Sequence, residues 1–389
     1  MTDIVTASTD RTDAAAGEAL ARQLAQGLGG KTPDALIVFA SAQNDYQALL
    51  RALHEPLKPK HLVGCSSAGE FTAGTSGTGM TSAIAIVAPQ MRFAAALGAR
   101  LSAGRPQAAS SIVGAFEGMR TTSFRHRTAI LFVDALAGYA EDLVDHLTMQ
   151  TAGAYQFVGG GAGDDGKFSS THVFFGTEAH TDAAVALEIL SNAPIGIGAQ
   201  HGWRPSGNPL RVTESSDACM LSLNAAPAVE AFEDHARSTG QRLEHENPLP
   251  FFLHNIVGVK TEDGHKLRVP LGIQEAGGVV CAAEVPTGAT AHIMATRAED
   301  ARRAAAAAVA DAVAQVERAG HKPSGALFLD CVATRLRLGQ EFEGELDAVR
   351  EALKGTPFVG FNSYGQIVRA EGQFNGFHNC TAVVCVFPD

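Results

Sequence analysis

Aromatic residues are scarce in this sequence, at 6% with a single tryptophan, which excludes a large aromatic binding surface. Charged residues make up only 18% and sum to a formal charge of −11, with no run rich in lysine and arginine. That balance opposes any broad affinity for nucleic acid or an anionic membrane. The six cysteines, Cys65, Cys219, Cys281, Cys331, Cys380 and Cys385, form no C-x-x-C pair and no zinc-like spacing. They read as reduced thiols in a reducing compartment, Cys331 and Cys380 being small core residues. The N-terminal residues lack the apolar core of a signal peptide, and no apolar stretch approaches the ~18–20 residues of a membrane span. The expectation is a soluble, cytoplasmic protein. What the chain does have is length, 389 residues, a 46% hydrophobic composition and 41 glycines. Two domains with many tight turns are expected.

An internal repeat organises the sequence. Three short apolar strands, Ala35–Phe39, Ala129–Val133 and Ala326–Asp330, each precede a helical stretch and then an apolar residue followed by Val-Gly. From Ala35 to Val63, Ala129 to Val158 and Ala326 to Val359 the chain advances 28, 29 and 33 residues. That spacing suits one crossover helix between parallel strands. A further apolar run follows each time, at 83–87, 173–175 and 382–386. Continuous apolar strands imply sheets covered on both faces. Each copy therefore reads as β-α-β-β, giving an α/β fold with mixed sheets and two sequence-related halves; α+β is the alternative. Helices are expected at 13–28, with Asp13 as N-cap and Gly29-Gly30 as terminator, and at 297–318, behind a Thr296-x-x-Glu299 capping box. The five alanines Ala304–Ala308 permit close packing on a sheet. Between copies two and three, Ile195–Trp203 reads as a strand, Asp217–Ala236 as a helix broken near Pro227, and 237–250 as a loop or domain junction.

Each Val-Gly leads into a glycine-rich polar turn: Cys65 to Glu70, Gly160 to Asp165, and Phe361 to Gln366. With one deletion in the middle copy, Gly69, Gly163 and Gly365 coincide, followed by the acceptors Glu70, Asp164 and Gln366. Turns at the carboxyl ends of sheet strands are where α/β folds place ligands. The candidate ligand contacts are Ser66, Ser67, Gly69, Glu70, Gly160, Gly161, Asp164, Asn362, Ser363 and Tyr364. The competing reading is that these are tight turns using glycine for its backbone freedom. A nucleophile elbow needs G-x-S-x-G, whereas Gly64 to Gly69 reads G-x-S-S-x-G, so hydrolase or transferase chemistry at Ser66 is the minor alternative. A phosphate loop would end in Gly-Lys-Ser/Thr; Asp164-Asp165 suits a cation or a ligand amine instead. The 14 histidines contain no H-E-x-x-H pattern. A single axial haem ligand leaves no motif, and His201, sharing a strand face with Trp203, and His378 are the candidates.

Several of these pieces carry a family resemblance. Leu62 to Glu70, Gly202-Trp203-Arg204-Pro205 and Val212-Thr213 resemble the N-terminal half of FIST sensory proteins. Asp330-Cys331 with Arg335, Glu345-Leu346, the turn from Val359 to Gly365, and Phe377-His378-Asn379 with Thr381 resemble the C-terminal half. The resemblance covers residues 34 to 387 and implies an N-terminal helix at 1–30, a FIST N-type domain at 31–224 and a FIST C-type domain at 225–389. It implies a non-enzymatic sensor that binds a small molecule, such as an amino acid, and signals to a separate histidine kinase or diguanylate cyclase/phosphodiesterase. One branch, the NosP type, implies haem as cofactor and nitric oxide as signal. The family's third turn ends in Gly-Glu, and here it is Gly365-Gln366, which weakens the case for a cationic ligand group there.

Overall fold

The computed structural model describes residues 2–373 and 375–389. Its fold is α/β with mixed sheets, assembled from three equivalent units. Unit one comprises β1 (Asp3–Thr9), α1 (Asp13–Gly27), β2 (Ala35–Ser41), α2 (Tyr46–Leu57), β3 (His61–Ser67), a hairpin of β4 (Glu70–Thr72) and β5 (Ser76–Gly77), and β6 (Thr81–Val87). Unit two repeats the order with β7 (Arg92–Ala99), α3 (Arg105–Ala115), β8 (His126–Val133), α4 (Ala140–Gln150), β9 (Gln156–Gly161), the hairpin β10 (Val173–Phe175) and β11 (Glu178–His180), and β12 (Ala183–Ser191).

Unit three begins at β13 (Gly196–Gln200). An insertion follows, made of strands β14 to β22 from Arg204 to Ala295 with helices α5 (Ala228–Thr239) and α6 (Leu249–Phe252). Unit three resumes at α7 (Ala298–Arg318), β23 (Pro323–Cys331), α8 (Val332–Leu338), α9 (Phe342–Leu353) and β24 (Phe358–Ser363). It ends with β25 (Gln366–Arg369), β26 (Gly376–His378) and β27 (Ala382–Pro388). Each repeat is thus larger than the β-α-β-β read from sequence: a further strand and helix precede it, and a hairpin interrupts it.

In every unit the two crossover strands are parallel and the returning strand is antiparallel: β2 with β3 and β6, β8 with β9 and β12, β23 with β24 and β27. The hairpins do not stay at home. Strand β4 of unit one pairs with β24 of unit three, β25 of unit three with β9 of unit two, and β10 of unit two with β3 of unit one. The exchange closes a cycle, and each unit covers the open edge of another.

Strand alternation explains the apolar runs. In β2, Ala35, Ile37 and Phe39 face a central core shared by all three units, while Leu36, Val38 and Ala40 pack under α1 and α2. Phe39 stacks on Phe361 at 4.4 Å and meets the edge of Phe132 at 5.4 Å, so one side chain from each unit closes that core. The Val-Gly landmark also has a steric cause. A Cβ on Gly64, Gly159 or Gly360 would lie 1.9, 1.8 and 1.8 Å from the carbonyl oxygens of Val38, Leu131 and Phe328 on the parallel neighbour. The alanines of α7 permit comparable intimacy, a Cβ on Gly198 falling 1.9 Å from the Ala308 carbonyl oxygen.

Several local expectations are corrected. Asp13 is not the N-cap of α1: it has a left-handed backbone, φ 57°, and its carboxylate accepts the Asp45 N–H at 2.6 Å. Thr296 does not cap α7 either, because its hydroxyl donates to the Gly202 carbonyl at 2.9 Å. Residues 219–223 and 226–227 are strands, so the helix expected from Asp217 starts only at Ala228. His201 and Trp203 lie beyond the end of β13. No helix among the described residues is long and apolar enough to cross a membrane. Gly159→Ala should cost about 3 kcal/mol or more, since backbone rather than a mobile side chain blocks the added methyl group; urea denaturation measures it.

Candidate functional site

The three glycine-rich turns meet. Turn one bonds to turn two through Gly163 N–H to the Ser66 carbonyl at 2.9 Å and Asp165 N–H to the Ser67 carbonyl at 3.1 Å. Turn three bonds to turn one through Ala68 N–H to the Asn362 carbonyl at 2.9 Å and Asn362 N–H to the Gly69 carbonyl at 2.8 Å. Turns two and three exchange Gly161 N–H to the Gly365 carbonyl at 2.8 Å and Tyr364 N–H to the Gly161 carbonyl at 3.0 Å. Gly69 and Gly365 have φ of 150° and 127°, conformations that a side chain resists. Gly160 and Gly161 let the third turn approach: a Cβ on Gly160 would fall 2.9 Å from the Gly365 carbonyl oxygen.

Most of the predicted contact residues are spent on this junction. Ser66, Ser67, Glu70, Asp164, Asn362 and Ser363 are all buried, and none of the ten candidates lines any of five cavities of roughly 150 to 640 Å³ elsewhere on the surface. The Asp164 carboxylate accepts the N–H groups of Phe168, Ser169 and Ser170 at 2.8, 2.6 and 2.9 Å, the Ser169 hydroxyl at 3.0 Å, and the Tyr364 hydroxyl. Although burial opposes it, these donors, Tyr364 foremost, hold Asp164 below the usual carboxylate range. Its lone pairs are committed to shaping the 165–171 loop, so the cation or amine expected at Asp164 has no place there. Tyr364 completes the clamp by stacking on Phe168 at 4.4 Å. Ser66 Oγ accepts the backbone N–H of His172 at 2.9 Å rather than an imidazole proton.

Turns one and three solve one problem with opposite polarity. In turn one, Ser67 donates to a Glu70 oxygen, while the other accepts Met80 N–H at 3.0 Å. In turn three, Ser363 donates to the Asp330 carbonyl at 3.2 Å and so must accept; Gln366 Nε2 supplies the donor at 2.7 Å, and Gln366 Oε1 takes Thr381 N–H at 3.2 Å. An ionised glutamate could not donate there, which accounts for Gln366.

Beside this junction lies a group the sequence did not nominate as a contact, Arg335. Arg335 of α8 donates through Nη1 to the Ala68 carbonyl at 2.9 Å, and a Cβ on Gly69 would meet that same nitrogen at 2.0 Å and Asn362 Oδ1 at 2.6 Å. The charges of Glu70 and Asp165 both act on the Arg335 guanidinium, which burial draws below its usual range. Asp165 Oδ2 accepts the Ser41 hydroxyl at 2.9 Å, but Asp165 Oδ1 and Asn362 Nδ2 are buried without a hydrogen-bond partner. Burial pushes Glu70 up to about 8, against Ser67, Met80 N–H and Arg335, which pull it down.

His201 and His378 line none of the five cavities; His201 Nε2 lies 3.2 Å from the His265 carbonyl oxygen, and His378 is buried in β26, opposite Gln366 of the third turn. A porphyrin needs an open slot beside its axial ligand, and none of these five cavities supplies one at either ring.

The family model for the FIST N domain matches residues 34–226, and that for the FIST C domain matches 228–369. The chain belongs to the FIST family. FIST domains are sensory domains. The FIST N match takes in most of units one and two and the start of the insertion, while the FIST C match begins with α5. The junction therefore falls inside the insertion, not between sheets. No curated protein matches the chain. Among solved structures, Thermotoga maritima PurL complexed with ATP is similar at 11% identity and a TM-score of 0.23, covering all of this chain and 71% of that one. PurLQS from the same organism gives 12% identity and 0.21, covering all of this chain and 72% of that one.

Because Glu70 normally ionises near 4.5, the fold holds a proton there that the unfolded chain has released between about pH 4.5 and 8. Stability from this group therefore falls as pH rises through that window. Glu70→Gln should flatten the decline, measured as urea unfolding free energies at about pH 5 and 8.

Proposed function

We propose that this FIST protein is a non-catalytic sensor that binds a small polar molecule, an amino acid or similar, where its three turns meet. It passes the signal to a separate histidine kinase or cyclic-di-GMP enzyme. One observation carries the reading: Asn362 Nδ2 and Asp165 Oδ1 are buried and unpartnered beside the Arg335 guanidinium. A buried polar atom without a partner costs about 1–3 kcal/mol, so such a cluster calls for an occupant. Arg335 offers a guanidinium to an anionic group, Asp165 an acceptor to an ammonium group, and Asn362 an amide donor. A zwitterion satisfies all three.

Residues from all three units meet at this junction, so an occupant there biases how the units sit on one another. The ligand's differential affinity for two such arrangements is what a partner would read. Ser66, whose hydroxyl accepts the His172 backbone N–H, has no part in this proposal; nor have His201 and His378.

A thermal-shift screen with free amino acids tests the reading. A ligand at 100 times its dissociation constant should stabilise the protein by about 2.7 kcal/mol. Arg335→Gln and Asp165→Asn should each abolish the shift, whereas Asp182→Asn, which lies elsewhere, should leave it. A shift that survives both substitutions removes the recess from consideration.

A further inference from the structure

Three histidines meet where the insertion packs on unit three. Within the insertion, β18 (Ile256–Thr261) lies between β19 (Gly264–Arg268) and β22 (Thr290–Ala295), antiparallel to both. The register sets His265 of β19 opposite Lys260, and His292 of β22 opposite Gly258. Opposed residues share a face, as do residues two apart on one strand. Both imidazoles therefore stand on the face whose Leu267 and Met294 pack with Trp203. Gly258 puts no side chain between them; a Cβ there would meet the Met294 sulfur at 2.6 Å. The rings reach over β18 until His265 Nε2 is 3.2 Å from His292 Nδ1, with centroids 5.0 Å apart and planes at 86°.

We propose that His265 and His292 bind a divalent transition-metal ion between their facing nitrogens. This stands independently of the ligand reading, because it uses other residues. The distances carry it. Nitrogens 3.2 Å apart that share an ion, each at about 2.05 Å from it, put their ring centroids about 5 Å apart. A straight N–H···N bond of the same length would put the centroids about 5.5 Å apart. The separation of 5.0 Å is that of the bent arrangement, in which both lone pairs converge beside the line joining the nitrogens.

The chemistry of the donors narrows the ion. Burial foremost, with Lys260 acting the same way, holds both imidazoles below their ordinary range. They are unprotonated at neutral pH, the state that a metal requires. Imidazole suits zinc, nickel or copper, whereas magnesium and calcium take oxygen ligands. Among the described residues no group of three or more His, Cys, Asp and Glu side chains is placed to hold an ion. The pair therefore supplies two donors, and water completes the shell. Structural zinc is enclosed by four protein donors; an ion held by two exchanges with solution.

His201 positions the first ligand. Its Nδ1 accepts the Trp203 N–H at 3.3 Å, so Nε2 carries the proton and donates to the His265 carbonyl at 3.2 Å. Lys266, next along β19, pairs with Glu141 of α4, and so does Arg268, through Nη2 at 2.7 Å. Strand β19 is thus tied to units two and three, and an ion at His265 fastens it to β22 as well.

Untagged protein stripped of metal by a chelator and titrated calorimetrically with Ni2+ tests the proposal. The expected result is one ion per chain, with no binding of Mg2+. His265→Ala and His292→Ala should each weaken Ni2+ at least about tenfold, with unchanged circular dichroism spectra, whereas His54→Ala on α2 should leave the affinity as it was. Electron paramagnetic resonance of the wild type loaded with Cu2+ should show coupling to two imidazole nitrogens, and each variant should show one. Absence of stoichiometric Ni2+ binding, an affinity unmoved by both substitutions, or a copper spectrum without imidazole nitrogen would each overturn it.

Discussion

The cyclic exchange of hairpins is the constraint on which everything else in the molecule depends. A parallel strand pair ends in an open edge, and an open edge leaves a row of unpaired backbone groups. Here β3, β9 and β24 each present such an edge, and each is covered by a hairpin from another unit. Each hairpin leaves its sheet through the glycine-rich turn at the strand's end. The turns must therefore converge for the edges to be closed, and a polar junction in the middle of an apolar molecule is the geometric result.

That origin explains why so many polar side chains there are structural. A buried junction of backbone groups from three sources leaves donors and acceptors that water cannot reach, and Ser67, Glu70, Asp164, Ser363 and Gln366 absorb them. The distinction between neighbours is chemical. Asp164 is saturated by five donors, whereas the adjacent Asp165 keeps an oxygen unpartnered within reach of the Arg335 charge. The same rule that identifies the frame also identifies the remainder, on which the proposed ligand site rests.

Much of this was legible in the sequence, for physical reasons. Strands β2, β8, β23 and β27 have helices on one face and the shared core on the other, so they are continuous apolar runs. Val-Gly was legible because a parallel neighbour's carbonyl excludes any Cβ at the glycine. The helix starts were misread because the capping residues found better partners far along the chain, Asp45 for Asp13 and Gly202 for Thr296. The short strand at 219–223 buries Cys219, Met220 and Leu223 and leaves Leu221 and Ser222 half-buried, a spacing close to a helical period, and so mimics an extension of α5. Convergence of the turns could be anticipated from their repetition. Arg335 could not be placed with them, because it arrives from 267 residues beyond Ala68.

The closed ring of borrowed strands also shapes how this chain reaches its native state. When unit one and unit two have left the ribosome, β10 can already shield β3, but β4 has no host and β9 has no visitor until the last unit emerges. Two adhesive borders thus stay uncovered through most of synthesis, and their closure joins Thr72 to Val359 and Gly160 to Gln366, 287 and 206 positions apart, the kind of distant contact that slows assembly. The three units accordingly cannot ripen one after another; they set together, when the final strands arrive.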